Sequence, residues 1–175
     1  KIDVQVKSAL GHDVTLSTIQ LDYQLPERFE LEYVNKDNQK VRPVVIHRAI
    51  LGSLDRFVAF LLEETKGVLP LWLAPLQVEV IPVNSEAHGD YASKINRALK
   101  REGIRSHLDD RNEKLGYRIR EAQMNKVPIQ IVVGNRDIEN ETVTVRTYGS
   151  KEEVTHSFKD YLNQLVEQIA QKSRN

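Results

Sequence analysis

Five histidines, His12, His47, His88, His107 and His156, are the first candidates for chemistry in this chain. None has a second histidine or a carboxylate at the helical spacing of a metal site, so no complete metal centre is written here. A Walker loop, a Rossmann glycine fingerprint and a nucleophile elbow are also missing. His47 falls at an expected strand-to-helix junction, where a structural or capping role is commoner than ligation. Arg56 lies inside the otherwise apolar helical run from Leu54 to Leu62. A buried guanidinium is costly unless it meets an anion, so Arg56 reads either as the partner of an acid such as Asp55 or as a phosphate clamp. Further on, Arg111, Lys114, Arg118, Arg120 and Lys126 outnumber Glu113 and Glu121, with Asn112 and Tyr117 interleaved. Basic, amide and aromatic groups together fit the reading of unstacked RNA bases. A solvated helix face is the other reading of the same run.

Composition narrows these choices. The 175 residues are 40% hydrophobic and 29% charged, the profile of a soluble globular chain of one medium or two small domains. Lys plus Arg and Asp plus Glu both number 25, so no global field draws the chain to nucleic acid or membrane, and any such site is a local patch. There is no cysteine, which removes disulfides and thiolate zinc within the chain. No apolar run approaches the ~20 residues of a membrane span, and no signal peptide precedes the first strand, so a cytoplasmic location is expected. Lys1 leads straight into a strand, as in a chain cut inside a domain.

The elements that position these residues follow from periodicity. Ile2, Val4 and Val6 alternate with polar residues, and Val14 to Tyr23 alternate with a phase switch near Ser17–Thr18 that predicts a bulge. Phe29, Leu31 and Tyr33 predict a third strand, and Val41 to Ile46 a fourth. From about His47 the spacing becomes helical through Leu62, ending at Gly67. Pro70 and Pro75 bracket an extended connector. Beyond it the pattern reads strand (Val78–Val83), helix (to Leu99, stopped by Gly103), strand (Ile104–Leu108), helix (Leu115–Ala122), strand (Pro128–Val133) and strand (Thr142–Tyr148). Ser150 to Glu153 reads as a capping box opening a last helix with Val154, Phe158, Leu162, Leu165 and Ile169 on one face. The fold class expected is an antiparallel sheet remnant with a helix, residues 1–73, then a small α/β domain with a mixed, mostly parallel sheet, residues 74–175. This second part carries 16 basic and 15 acidic side chains, so the basic run is local.

The stretch Pro43-Val44-Val45-Ile46-His47-Arg48-Ala49-Ile50-Leu51-Gly52-Ser53-Leu54-Asp55-Arg56-Phe57 closely resembles the third class-defining motif of class II aminoacyl-tRNA synthetases. The histidine immediately before Arg48 is worded as in the threonyl-tRNA synthetases. Thr18 to Tyr23 with Leu25 to Phe29 resemble the strand and loop upstream of that motif. Trp72 to Pro75 and Asp110 to Tyr117 resemble the family's domain junction and anticodon-binding domain. The resemblance covers nearly the whole chain. It implies the end of a catalytic domain plus an anticodon-binding domain, the C-terminal portion of a longer threonine–tRNA ligase that is not expected to be active alone. A non-catalytic RNA-binding paralogue and a prolyl or histidyl synthetase are the alternatives.

The resemblance also implies roles. His47 would be the last of three zinc ligands, the other two lying upstream. That zinc would hold threonine through its amino and hydroxyl groups. Arg56 would hold the phosphates of ATP, with Mg²⁺ assisting. Thr18 and Gln20 would line the adenylate and the tRNA acceptor end, with Gly52 and Ser53 at the same floor. Asn112, Arg120, Asp137 and Arg146 would read the anticodon of threonine tRNA. Asp137 stands where many members have a glutamate, and Thr15-Leu16-Ser17 stands where many have a Gln, a Cys and a Gly. The full-length enzyme would be a homodimer without a membrane anchor.

Overall fold

The computed structural model describes residues 1–172, which divide into two compact units between Gly67 and Val68. The first unit holds β1 (Ile2–Lys7), β2 (Asp13–Asp22), α1 (Gln24–Arg28), β3 (Tyr33–Val34), β4 (Lys40–Val41), β5 (Val45–Ala49) and α2 (Leu54–Glu64). Its antiparallel sheet has the order β1-β2-β5, and β3 pairs β4 in a separate ribbon. The bulge expected near Ser17–Thr18 is present: the register steps from Val4↔Ser17 to Gln5↔Thr15, leaving Leu16 as the extra residue.

Three expectations fail in this unit. The strand expected over Phe29, Leu31 and Tyr33 survives only as β3, because Asp22 Oδ1 accepts the Gln24 and Leu25 N–H groups at 2.9 and 3.0 Å and starts a short helix instead. Glu30 then takes φ +52 and ends the turn. The strand expected over Val41 to Ile46 is split, with Pro43 between β4 and β5. The helix expected from His47 begins only at Leu54, since residues 45–49 pair with β2 and the apolar Ala49 and Ile50 precede a left-handed turn at Gly52, φ +67. Ser53 Oγ accepts the Arg56 N–H at 3.4 Å and caps α2.

Within the first unit only Pro26 is buried; no residue of α2 is, and Leu54 is 76% exposed. Exchange protection follows buried apolar contact. Amide protons of β1, β2 and β5 are therefore expected to exchange on the order of 100-fold faster than those of the central strands described next, read by hydrogen–deuterium exchange.

The second unit runs β6 (Val78–Pro82), α3 (Ser85–Arg101), β7 (Ser106–Leu108), α4 (Leu115–Met124), β8 (Ile129–Val133), α5 (Asn135–Asn140), β9 (Thr142–Thr147), β10 (Glu153–Ser157) and α6 (Phe158–Ala170). Its sheet has the order β10-β9-β8-β6-β7. β6 pairs in parallel with β7 and β8, while β8–β9 and β9–β10 are antiparallel, so the sheet is mixed as expected, with half its pairings parallel. β6 and β8 are buried along their whole length, matching their near-continuous apolar sequences. Val78, Val80, Ile131, Val133 and Val143 pack with Ile95, Leu99 and Leu165 on one face, and Ile81 meets Ala122 and Val127 on the other. Asn84 Oδ1 caps α3 with two bonds of 2.9 Å, and Gly103 at φ +76 ends it.

The connector belongs to this unit ahead of the junction expected after residue 73. Leu71 and Ala74 are buried, and Arg105 donates to the Trp72 and Ala74 carbonyls. The capping box at Ser150 does not open the last helix. Residues 153–157 instead pair with β9 as β10, Val154 opposite Val145, and Ser150 Oγ accepts only the Glu152 N–H. Pairing with a ready strand outweighs a local cap signal.

Candidate functional site

In the first unit the register sets the residues. β2 pairs β5 with Thr18↔Ala49, Gln20↔His47 and Asp22↔Val45, so Thr18, Gln20, Asp22 and His47 lie on one face of the sheet. Gln20, Asp22, Tyr23 and His47 line an open hollow of about 720 Å³. His47 is therefore a strand residue with a half-exposed ring, and its Nε2 meets Asp22 Oδ2 at 2.9 Å. The Asp22 carboxyl lies below the usual carboxylate range because the Leu25 N–H and then His47 bond it.

This pairing leaves Nδ1 of His47 to other partners, but among the described residues no three His, Cys, Asp or Glu side chains come together. These residues do not make a zinc centre by themselves. Arg56 is exposed on the first turn of α2, not buried as its apolar surroundings predict, and its guanidinium has no partner among the described residues. An unpaired exposed guanidinium fits a phosphate. Gly52 and Ser53 have conformational duties, the left-handed turn and the helix cap. Ser17, within the departure from the family wording, accepts from Arg48 Nη1 at 2.9 Å and donates to the Ala49 carbonyl at 3.1 Å. It ties the bulge to β5.

In the second unit a cavity of about 440 Å³ opens beyond the carboxyl ends of β6 and β7, lined by Asn84, Ser85, Arg111, Asn112, Lys114 and Arg118. β6 is the strand from which the chain leaves to opposite sides, toward β7 and then β8, the place where open α/β sheets bind ligands. The basic run separates into two groups here. Arg118 is 2% exposed and donates to four carbonyls: Asp109 (2.7 Å), Pro82 (2.8 Å), Glu113 (3.2 Å) and Val83 (3.5 Å). Arg111 is paired with Asp109 at 2.7 Å and with Glu121 at 2.5 Å, which holds its guanidinium firmly charged. The side chains of Asn112, Lys114 and Arg120 have no partner among the described residues, and all three are exposed. Two of the five basic groups thus build the loop, while Asn112, Lys114 and Arg120 face outward from it.

Arg118 as a strut is the residue that sequence reasoning missed. A signal existed: it falls in the helical stripe of Leu115, Ile119 and Ala122, which packs on the sheet. Arg120 lies on another flank of α4, shared with Gln123, whose Oε1 accepts the Gly149 N–H between β9 and β10 at 3.5 Å. That flank faces the hairpin carrying Arg146, which pairs with Glu153 across the strands. Asp137 is buried and fully used: Oδ2 accepts the Gly134 N–H at 3.0 Å, and Oδ1 accepts the Thr142 and Thr144 hydroxyls at 3.1 and 3.3 Å. It fixes α5 and β9 rather than facing outward.

Asp109 gives a pH test. Hydrogen bonds from Arg111 hold its carboxyl below the ordinary 3.8, against the opposing effect of burial. A lowered folded value means the ionised form favours folding. That stabilisation is complete above about pH 3.8 and is lost as pH falls through the lower folded value. Asp109→Asn is expected to destabilise most at neutral pH, with the deficit shrinking below pH 3.8 in thermal melts.

Comparison with known proteins fits this geometry. The family described as "Anticodon binding domain" matches residues 77–168, and "tRNA synthetase class II core domain (G, H, P, S and T)" matches residues 1–65. The chain is 56% identical over 174 residues to a threonine–tRNA ligase of Staphylococcus carnosus and 52% identical over 174 residues to one of Lactobacillus acidophilus. Both alignments take in 99% of this chain and 27% of the relative, so the chain spans about a quarter of their length. The crystal structure of the RNA binding domain of threonyl-tRNA synthetase from Cryptosporidium parvum superposes with TM-score 0.83 at 34% identity, covering 99% of this chain and 43% of that one. The chain therefore belongs to the anticodon-binding domain family, and ahead of that domain its residues 1–65 match the class II synthetase core.

Proposed function

We propose that this chain is the C-terminal portion of a threonine–tRNA ligase, whose second unit reads the anticodon of threonine tRNA. The observation that carries the reading is the division of labour in the second unit: Arg118, Arg111 and Asp137 are spent on internal bonds, and Asn112, Lys114 and Arg120 stand outward and unpaired around the loop they hold. Asn112, Arg120 and Arg146 then contact anticodon bases, Lys114 contacts phosphate, and Asp137 positions the strand that carries Arg146.

In the first unit, Arg56 would hold the ATP phosphates, and Thr18 and Gln20 would line the adenylate above the sheet. ATP with Mg²⁺ would supply the α-phosphate that the threonine carboxylate attacks, pyrophosphate leaving as the phosphoanhydride breaks, and the threonyl group would then pass to the tRNA 3′-terminal hydroxyl with release of AMP. Arg56 contributes positioning and charge stabilisation at the phosphates. Of the ligands of a threonine-binding zinc, this chain would supply His47, which alone does not make a metal centre. Homodimerisation and a cytoplasmic location of the longer enzyme belong to the same proposal.

The test is binding of the 175-residue chain to a threonine tRNA transcript and to the same transcript with its anticodon bases exchanged, at one fixed salt concentration. At least about tenfold preference for the native anticodon is expected. Equal binding would reduce the second unit to an electrostatic RNA-binding module. Threonine-dependent pyrophosphate exchange by the chain alone is expected to be absent.

A further inference from the structure

Gln130 is fully buried as the second residue of β8, yet among the described residues neither its Oε1 nor its Nε2 meets a hydrogen-bond partner. It stands opposite Glu79 on β6 and opposite Arg146 on β9, and Arg146 stands opposite Glu153 on β10. His107 on β7 completes the row beside Glu79. These side chains share the face of the sheet that carries Ile81 and meets α4. The neighbours of Gln130 are turned away from it: Glu79 Oε1 bonds His107 Nδ1 at 2.6 Å, and Arg146 Nη1 bonds Glu153. Arg146 Nε is likewise buried and unpartnered among the described residues.

A buried acceptor and a buried donor thus sit on directly opposed residues without bonding each other. Directly opposed side chains of an antiparallel pair lie within contact distance, so a modest rotation of either closes the bond. Leaving such atoms unpaired costs free energy, and that cost is recovered when the partner arrives. A purely structural Gln130 would have its amide bonded in this state, as Gln77 does with the Leu71 carbonyl and the Arg105 N–H.

We propose that Gln130 is a positioning residue for Arg146. In the free protein Glu153 holds the guanidinium. When an RNA base edge engages Arg146, the side chain leaves Glu153, its Nε–H donates to Gln130 Oε1, and its Nη groups turn to the base. This inference rests on the anticodon-reading function proposed above. Gln130 and Glu153 then act as the two alternative acceptors of one guanidinium, and the choice between them is coupled to RNA binding.

The test compares Gln130→Met, Gln130→Glu and Glu153→Gln with the unaltered 175-residue chain. Binding to threonine tRNA and to its anticodon-exchanged transcript is read beside melting temperature. Gln130→Met keeps the chain length and removes the unpaired amide, so the melting temperature is expected to hold or rise while anticodon preference falls about tenfold. Gln130→Glu keeps an acceptor oxygen and is expected to restore the preference. Glu153→Gln removes the competing carboxylate, and cognate binding is expected to tighten by up to about fivefold with preference intact.

Unchanged preference in Gln130→Met overturns the inference while leaving the anticodon reading in place. A preference lost only alongside a fall in melting temperature, unrescued by Gln130→Glu, makes Gln130 structural and overturns it too. Absence of preference in the unaltered chain sinks the anticodon reading, and this inference with it.

Discussion

Replacing Arg118 with alanine is expected to destabilise the second unit by about 3 to 5 kcal/mol, lowering its melting temperature by on the order of 15 °C. The guanidinium donates to the carbonyls of Asp109, Pro82, Glu113 and Val83 from a position 2% exposed. Truncation leaves those acceptors without their donor beside a cavity, and charged hydrogen bonds contribute about 1.5 to 3 kcal/mol each before non-additivity reduces the sum. Lysine cannot substitute: one ammonium cannot reach carbonyls on both sides of a planar fork. Arg118→Lys should therefore recover only a minor part of the missing stability. Because Arg118 bridges the end of β6 to the loop 109–113, the same variant should lose anticodon preference even at temperatures where it remains folded. A melt unchanged within about 1 kcal/mol would mean that water replaces the guanidinium, and the division of the basic run into struts and RNA-facing groups would fail.

The central strands were legible because burial on both faces writes itself as a near-continuous apolar run, as in Ile129 to Val133. The helix carrying Tyr91, Ile95, Ala98 and Leu99 was legible because its stripe and its Gly103 stop agree, though its start at Ser85 was not. What escaped depended on partners far along the chain. Residues 150–153 carry a cap signal for a helix, but β9 offers an unpaired edge to residues 153–157, and pairing decides. His47 reads as a junction until β2 claims it, opposite Gln20. Arg118 and Arg120 are alike in sequence and opposite in fate, because two residues on a helix turn the side chain to another flank. The burial expected of Arg56 failed for a related reason. Its apolar neighbours Leu54 and Val58 are themselves exposed in this chain, so the premise of a covered helix did not hold. Family wording located the outward Asn112 and the part-covered Arg146, while the geometry separated Asp137, whose carboxylate is consumed inside the unit. Gln130 was legible only as part of a buried strand, and its empty hydrogen-bonding atoms had no sequence signal, since they depend on how Glu79 and Arg146 pair on the neighbouring strands.

Removing the side chain of Arg146 or Asn112 should act on recognition and spare the fold. Arg146→Ala takes away a mostly covered guanidinium paired with the half-exposed Glu153, its Nε unpartnered among the described residues, so little internal bonding is lost. Asn112→Ala removes an exposed amide with no internal bond. Each is expected to weaken binding of the cognate transcript by about 1 to 3 kcal/mol and to erode the preference over the anticodon-exchanged one, since a missing hydrogen bond to a base edge costs the right sequence more than the wrong one. Lys114→Ala provides the contrast. Without its ammonium at a phosphate, both transcripts should bind more weakly by the same factor, and the slope of log affinity against log salt should fall by about one. Asp137→Asn should behave differently from all three, lowering the melting temperature first, because its oxygens serve Gly134, Thr142 and Thr144. If Arg146→Ala and Lys114→Ala gave the same uniform weakening, the second unit would hold RNA by charge alone. Base reading would then rest on Asn112 and Arg120 alone, so a uniform effect would count against the place of Arg146 in the anticodon assignment.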